Sequence, residues 1–269
     1  MRKMLYILSY ILIGYLILII ALFIFQRSFL YFPEKGEIDS SYFINTGLKE
    51  IALTTSDGLV LKSWIKKPKF KDGYTILIFH GNGGHVGHRV DKFKPFIDAG
   101  YGLLFLEYRG YANNSGKPSE KGLYNDALAA IKFLSEKKIT SNKIILYGES
   151  LGCGIAIKLS TEAVFAATIL ESPYTSINDV AQKHYWYLPA KWLVLDKYNI
   201  IDIVNKVKSP LLVIHGEKDN VIDISFGKKV FESAIQPKES LFIPEAGHNN
   251  LFEFEVVKKI LFFLEKQKK

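Results

Sequence analysis

The segment KIILYGESLGCGIAIKLST, residues 143–161, constrains the fold more than any other part of the chain. It begins as a continuous apolar run, passes through Gly148-Glu149-Ser150-Leu151-Gly152, and continues as a helical pattern of small residues. The pattern G-x-S-x-G between a strand and a helix is typical of a sharp turn that exposes the serine at its tip. Glycines suit such a turn because the neighbouring chain packs closely against it. Ser150 is therefore predicted to be a nucleophile at a helix N-terminus, where developing negative charge is favoured.

Short apolar runs alternate with helical patterns along most of the remaining chain. Continuous apolar runs predict strands that are buried on both faces, which is typical of a parallel sheet. The alternation predicts an α/β fold with a mostly parallel, doubly wound sheet. The segment Ile51–Lys66 alternates in polarity around Ser56-Asp57-Gly58, which predicts an antiparallel hairpin at one edge. The predicted strands are Tyr74–Phe79, Leu103–Leu106, Lys143–Tyr147, Ala167–Leu170, Pro210–Ile214 and Leu241–Ile243, and the predicted helices are Val86–Ala99, Glu120–Lys137, Leu151–Thr161, Ser225–Ala234 and Leu251–Glu265.

Residues 173–209 interrupt this alternation, because the segment is longer than a simple crossover between two strands. We interpret it as a small helical cap over the strand ends. Its aromatic side chains leave three alternatives open: they line an acyl pocket, they contact a membrane, or they pack the cap onto the sheet. These side chains are Tyr185, Trp186, Tyr187 and Trp192.

The segment Met4–Phe25 has no charged residue and is long enough to cross a bilayer, which takes about 20 apolar residues. A cleaved signal peptide is the alternative, but its apolar region spans only about 7–15 residues and ends in a small-residue cleavage site. Residues 26–31 read QRSFLY and contain no such site. We therefore predict a transmembrane anchor over residues 1–27 and an α/β domain over residues 28–269.

The charges that flank the apolar segment predict its orientation. Arg2 and Lys3 precede it, whereas only Arg27 follows it closely. The positive-inside tendency then places the N-terminus in the cytoplasm. The expected location is a single-pass membrane protein whose globular domain lies on the periplasmic or extracytoplasmic side.

Composition excludes several other classes of protein. Of the 269 residues, 48% are hydrophobic and 23% are charged, which is a globular composition. The net charge is +8, but no basic run is interleaved with aromatic residues, so no nucleic-acid partner is expected. The single cysteine, Cys153, excludes an intrachain disulfide and a cysteine zinc site, and we expect it to be buried.

A serine hydroxyl is a poor nucleophile unless a base activates it. His248, in the segment PEAGHNN, follows the last predicted strand and precedes the last predicted helix. That position allows its imidazole to reach Ser150. His80 and His215 lie at strand ends before glycines and are interpreted as structural, and His184 lies in the cap.

His85 and His88 are three residues apart on a predicted helix. Two histidines at this spacing suggest a metal site, but such a site needs a third ligand. No third ligand is identifiable in the sequence, so we predict no metal and assign both histidines to packing or solvent contact.

The acid that orients the base is expected between the serine and the histidine in chain order. The segment PLLVIHGEKDNVID, residues 210–223, contains Asp219 in the turn after a predicted strand. Asp219 is predicted to hold the imidazole tautomer and to stabilise the imidazolium. Asp223 is the alternative, because it could instead cap the next helix.

An oxyanion hole needs two backbone donors. The N–H of Leu151, next to the nucleophile, supplies one. The loop after the strand in YTILIFHGNGGHVGH, residues 74–88, supplies the other, with the N–H of Asn82 preferred and Gly83 as the alternative. Phosphate binding is the other use of a glycine-rich loop, but no G-K-[ST] follows here.

Six segments together form a set of motifs: HGNGG at 80–84, EYRGYANNSGKPSEKGLYNDA at 107–127, YGESLG at 147–152, ESPYTSINDVA at 171–181, IHGEKDNVID at 214–223 and AGH at 246–248. This set resembles the Bem-type subfamily of membrane-anchored α/β-hydrolases. The resemblance implies an α/β-hydrolase core, an N-terminal membrane helix and a Ser-Asp-His triad, which Ser150, Asp219 and His248 match. Related groups hydrolyse lipid esters, lysolipids and protein-bound S-acyl thioesters. The loop HGNGGH departs from the usual pattern, which often has alanine and a further asparagine.

The sequence therefore predicts a serine hydrolase that cleaves carboxylic esters or thioesters through an acyl-enzyme. The substrate is expected to be a small-molecule or lipid acyl compound, and no cofactor is needed for this chemistry. The alternative is a non-catalytic, membrane-tethered interaction module with a hydrolase fold.

Overall fold

The computed structural model describes residues 2–267. The helices are α1 (Arg2–Leu30), α2 (Val90–Asp98), α3 (Glu120–Glu136), α4 (Gly152–Ser160), α5 (Ile177–His184), α6 (Ala190–Leu193), α7 (Ile224–Ser233) and α8 (Val256–Glu265). The strands are β1 (Phe32–Pro33), β2 (Lys49–Thr54), β3 (Val60–Lys66), β4 (Thr75–Phe79), β5 (Gly83–Gly84), β6 (Gly102–Leu106), β7 (Ile144–Glu149), β8 (Ala167–Glu171), β9 (Leu211–Gly216) and β10 (Lys238–Ile243).

Eight of these strands form one sheet in the order β10-β9-β8-β7-β4-β6-β3-β2. The pairs from β10 to β6 are parallel, whereas β3 pairs antiparallel with both β6 and β2. The predicted parallel sheet and the antiparallel hairpin at its edge are both confirmed. Every residue of β4, β6 and β8 is buried, as expected for strands covered on both faces.

Side chains of each strand alternate between two apolar layers. In β4, Leu77 and Phe79 face the layer that contains α3, α4 and α7, while Ile76 and Ile78 face the layer that contains α2 and α8. The helices thus cover both faces of the sheet, and the doubly wound architecture is confirmed. This arrangement leaves the carboxyl ends of the parallel strands free to carry a site.

Two predicted helices are divided in the structure. The segment predicted as Val86–Ala99 begins as a 3₁₀ turn, Val86–Arg89, before α2. The segment predicted as Leu251–Glu265 is a 3₁₀ turn, Leu251–Glu253, followed by α8. The second division lies at Glu255, whose φ of 52° cannot continue a right-handed helix.

The helix α1 is long and apolar enough to cross a membrane, and none of its residues is buried. Its last turns contact the segment after α6. The guanidinium of Arg27 binds both carboxylate oxygens of Asp196, at 2.8 and 3.1 Å. Tyr31 donates to Asp196 and is only 3% exposed, so it is a buried contact rather than the interfacial aromatic that its position suggests.

Residues 173–209 contain α5, α6 and a 3₁₀ turn, Val204–Lys206. Trp186 and Trp192 are 78% and 84% exposed, so these two side chains do not pack on the sheet. Tyr185 instead faces a cleft against α1.

Candidate active site

The turn between β7 and α4 holds Ser150 in a left-handed backbone conformation, with φ of 50°. Such a conformation costs of order 1–3 kcal/mol in a residue with a side chain and persists only where the surroundings enforce it. The Ser150 N–H donates to the Glu171 carbonyl at 2.8 Å, which fixes the turn against β8. A Cβ at Gly148 would lie 2.7 Å from Cys153 Cα, and one at Gly152 would lie 2.1 Å from the Phe79 carbonyl oxygen. Only glycine fits at both positions.

Replacing Gly152 by alanine is expected to lower the free energy of unfolding by about 3 kcal/mol or more, because a backbone carbonyl must shift to admit the methyl group. Urea unfolding of the full chain in detergent micelles measures this loss. Gly83→Ala is the matched control, since its Cβ would meet only Phe32 Cβ at 4.0 Å. Equal stability of the two variants would contradict the steric explanation.

The structure brings Ser150, His248 and Asp219 together at the carboxyl end of the sheet. His248 Nε2 lies 3.2 Å from Ser150 Oγ, and His248 Nδ1 lies 2.7 Å from Asp219 Oδ2. Asp219 follows β9 and His248 follows β10, so neighbouring parallel strands deliver both groups to the serine turn. This is the connectivity that base activation of a serine requires.

The Asp219 carboxylate is buried and fully engaged. Its Oδ1 accepts hydrogen bonds from the backbone N–H groups of Val221 and Ile222 at 2.9 and 2.7 Å. Burial alone raises the pKa of Asp219, but hydrogen bonds from His215 and His248 outweigh burial and hold that pKa well below its usual range. The carboxylate is therefore ionised at neutral pH.

Asp223, the alternative acid, has a different role. Its Oδ1 accepts from the Ser225 N–H at 2.9 Å as the N-cap of α7, and its other oxygen pairs with Lys183 at 2.6 Å. Of the two carboxylates, the structure places Asp219 against His248.

His215, interpreted from its sequence position as a structural residue, contacts Asp219 directly. The side chain is fully buried, with Nε2 2.8 Å from the Ile222 carbonyl and 3.3 Å from Asp219 Oδ2. Gly227 of α7 covers the ring, where a Cβ would lie 2.2 Å from Nδ1. The only hint in the sequence is a histidine four residues before the acid.

Leu151 lies in the serine turn, and Asn82 follows Gly81, where a Cβ would lie 3.6 Å from Ser150 Cβ. Neither the Leu151 nor the Asn82 backbone N–H donates to another group within residues 2–267. Asn82 is fixed by other contacts: its side chain donates to the Leu30 carbonyl at 2.9 Å, and its carbonyl accepts from Tyr111 Oη at 2.7 Å. Gly83, the alternative donor, lies in β5 and pairs with Phe32.

A polar cavity of about 210 Å³ opens beside Ser150. Glu149, an x position of the G-x-S-x-G pattern, lies at its wall and binds Arg89 at 3.0 Å and Lys92 at 2.9 Å. Burial raises the pKa of Glu149, but the two cations outweigh it and lower that pKa well below its usual range. The cavity is lined by His88, Arg89, Lys92, Glu149, Ser150, Glu171, Ser172, His248 and Asn249.

A second, apolar cleft of about 300 Å³ lies between α1 and the segment that contains α5 and α6. Its wall includes Leu30, whose carbonyl binds the Asn82 side chain, so the cleft adjoins the loop that carries one oxyanion donor. Its lining residues are Leu22, Phe23, Gln26, Arg27, Phe29 and Leu30 of α1, and Ile177, Ala181, Tyr185, Leu188, Ala190, Leu193, Val194 and Asp196.

Comparison with known proteins places this arrangement in a family. A family model described as "Serine aminopeptidase, S33" matches residues 72–198. An uncharacterized protein of Mycobacterium tuberculosis is 34% identical over 227 residues, which cover 84% of this chain and 81% of that protein. The lysophosphatidylserine lipase ABHD12 of Danio rerio is 34% identical over 195 residues, which cover 65% of this chain and 51% of that protein.

Among solved structures, the Pyrococcus furiosus esterase Pf2001 superposes with a TM-score of 0.70 at 20% identity, covering 88% of this chain and 98% of that one. At this identity the likeness shows the fold alone. Together with the relatives above, it shows that the chain belongs to the α/β-hydrolase superfamily.

Proposed function

We propose that this chain is a membrane-anchored serine hydrolase of the Bem-type subfamily, which cleaves carboxylic esters or thioesters of lipid-like acyl groups. The observation that carries the proposal is the unbroken series of contacts from the ionised Asp219 through His248 to Ser150 Oγ. An interaction module has no need of a base on a strained serine, so the same observation disfavours that alternative.

In the first step, His248 Nε2 accepts the proton of Ser150 as Oγ attacks the acyl carbonyl carbon. Asp219 keeps the Nδ1–H directed toward itself and stabilises the imidazolium. The carbonyl oxygen, now negatively charged, accepts hydrogen bonds from the Leu151 and Asn82 N–H groups. As the intermediate collapses, the bond to the leaving group breaks and His248 gives its proton to the departing alcohol or thiol.

In the second step, water attacks the acyl-enzyme and passes its proton to His248. The resulting intermediate releases the carboxylic acid, and the proton returns to Ser150 Oγ. The chemistry of both steps is supplied by side chains and backbone amides of this chain.

The surroundings of α1 support an acyl substrate drawn from a membrane. Tyr15, within the apolar segment, donates to the Tyr187 carbonyl at 2.9 Å. Tyr15 lies ten residues before Phe25, a distance of about 15 Å along a helix. Residues 185–193 therefore lie beside the second half of the apolar segment, with Trp186 and Trp192 exposed to what would be lipid or its interface.

We assign the acyl chain to the apolar cleft and the polar leaving group to the cavity beside Ser150. The name of the ABHD12 relative, a lysophosphatidylserine lipase, supports a lysolipid or related ester. The charges that flank the apolar segment Met4–Phe25 favour an extracytoplasmic catalytic domain.

Two measurements on the full chain in detergent micelles test the proposal: labelling by a fluorophosphonate probe, and hydrolysis of p-nitrophenyl esters from acetyl to palmitoyl. We expect labelling and hydrolysis, with rates that increase beyond the acetyl ester because longer chains fill the cleft. A protein that is neither labelled nor active on any ester would instead be the interaction module.

Ala181 of α5 lines the apolar cleft, and Ala181→Trp is expected to fill part of it. Expelling two methylenes from the cleft costs about 1.6 kcal/mol, so kcat/KM for long-chain esters should fall about 15-fold. The acetyl ester should react within about twofold of the wild-type rate, since its acyl group does not reach the cleft.

Lys191→Trp is the matched control, because this exposed residue of α6 does not line the cleft. If Ala181→Trp lowers the rates of acetyl and long-chain esters equally, the acyl chain does not occupy the cleft.

A further inference from the structure

The geometry points to a zinc site formed by Glu34, His85 and His88, at the rim of the cavity that contains Ser150. In the sequence, this histidine pair has no identifiable third ligand. The structure brings Glu34 to both imidazoles, and nothing in the proposed hydrolase mechanism uses the three residues.

The three side chains form a close cluster. His85 Nε2 lies 3.6 Å from Glu34 Oε1, and His88 Nε2 lies 3.5 Å from Glu34 Oε2. The ligand atoms of all three residues lie within 4.8 Å of one another. The two imidazole rings are close neighbours, with centroids 4.0 Å apart.

These separations are too long for hydrogen bonds, which require about 2.7–3.2 Å between nitrogen and oxygen. They agree with ligands around a common ion. Zinc binds nitrogen and oxygen at about 2.0–2.2 Å, so two ligands of a tetrahedral site are separated by about 3.3–3.6 Å. The 3.5 and 3.6 Å distances fall within this range.

The backbone presents these ligands in a fixed arrangement. The short strand β1 pairs in parallel with β5, and the Glu34 N–H donates to the Gly84 carbonyl at 3.4 Å. This pairing places Glu34 beside the loop that leads directly into His85. Tyr42 packs edge-on against both imidazoles, with ring centroids 5.6 Å from each, and limits their rotation.

The ligand set favours zinc over calcium and magnesium. Two imidazoles and one carboxylate are ligands that zinc accepts while keeping a further position open. Calcium and magnesium prefer oxygen ligands throughout, so the imidazoles disfavour them. Bound zinc would join the segment after α1 to the loop that carries Asn82, and would thereby stabilise the candidate oxyanion hole.

The test is zinc binding by the full chain in detergent micelles, after removal of metals, in competition with a chromogenic chelator. Glu34→Gln and His88→Ala remove one ligand each, and both side chains are partly exposed, at 51% and 38%, so the fold should tolerate them. His184→Ala is the matched control, because this exposed histidine lies on α5, outside the cluster.

We expect one zinc ion per chain in the wild type and in His184→Ala, with a zinc-dependent rise in Tm. Each ligand variant should bind at least about tenfold more weakly, since even groups that only support a ligand are worth 10–100-fold in affinity. Absence of stoichiometric binding to the wild type overturns the proposal, as does wild-type affinity in either ligand variant.

The readout is independent of hydrolysis. Ser150→Ala should bind zinc as the wild type does, because Ser150 is not a ligand. Zinc binding without ester hydrolysis would support the metal site and contradict the proposed function. Ester hydrolysis without zinc binding would support the proposed function and contradict the metal site.

Discussion

Ser150→Ala is expected to abolish hydrolysis of every p-nitrophenyl ester that the wild-type chain cleaves. Loss of the nucleophile of a triad lowers kcat by about 10⁴–10⁶-fold, and the remaining rate comes from the oxyanion donors and substrate binding alone. Labelling by the fluorophosphonate probe should disappear completely, because the probe bonds to the activated Oγ. Initial rates and gel fluorescence on the full chain in micelles measure the two effects.

The matched control for this variant is Ser135→Ala, at an exposed position near the end of α3. It should retain the rate and the labelling of the wild type. Alanine at position 150 should leave Tm within a few degrees of the wild type, since it removes a hydroxyl that is partly exposed. Substantial hydrolysis by a well-folded Ser150→Ala chain would show that another residue is the nucleophile.

The features that could be predicted from sequence are those with local signals. Continuous apolar runs identified the buried strands, because burial on both faces removes the need for polar residues over a whole segment. The serine turn also leaves a readable pattern, G-x-S-x-G between a strand and a helix, although only the demand on Gly148 is local. Gly148 packs against Cys153, whereas Gly152 packs against Phe79 of β4. The position of His248 after the last strand followed from the order of the strands.

The features that could not be predicted depend on contacts between distant segments. Glu34 reaches His85 and His88 only through the two-residue pairing of β1 with β5, which is too short to have a sequence pattern. Nothing in the sequence around Glu149 predicts that Arg89 and Lys92, which lie some sixty residues earlier, will bind its carboxylate.

The division of predicted helices has a different cause. Both 3₁₀ turns occur where the apolar periodicity continues without interruption, so the pattern alone predicts a longer helix. At Glu255 a positive φ ends the regular helical backbone. Glutamate ordinarily favours a helix, so the residue type does not predict this break.

Two carboxylates, Asp219 and Asp223, fit the chain order expected for the acid that orients the base. Substituting each of them should show which one has this role. Asp219→Asn is expected to lower kcat by about 10⁴-fold, because an amide at this position stabilises the wrong imidazole tautomer and no longer offsets the charge of the imidazolium. Asp223→Asn should leave kcat within about twofold, since asparagine also caps a helix well and α7 keeps its N-cap. Parallel rate measurements on the two variants, with Tm as the check on folding, decide between the carboxylates. A large loss in Asp223→Asn with a small loss in Asp219→Asn would reverse the assignment, and it would mean that His248 takes a different partner during the reaction from the one 2.7 Å away in this structure.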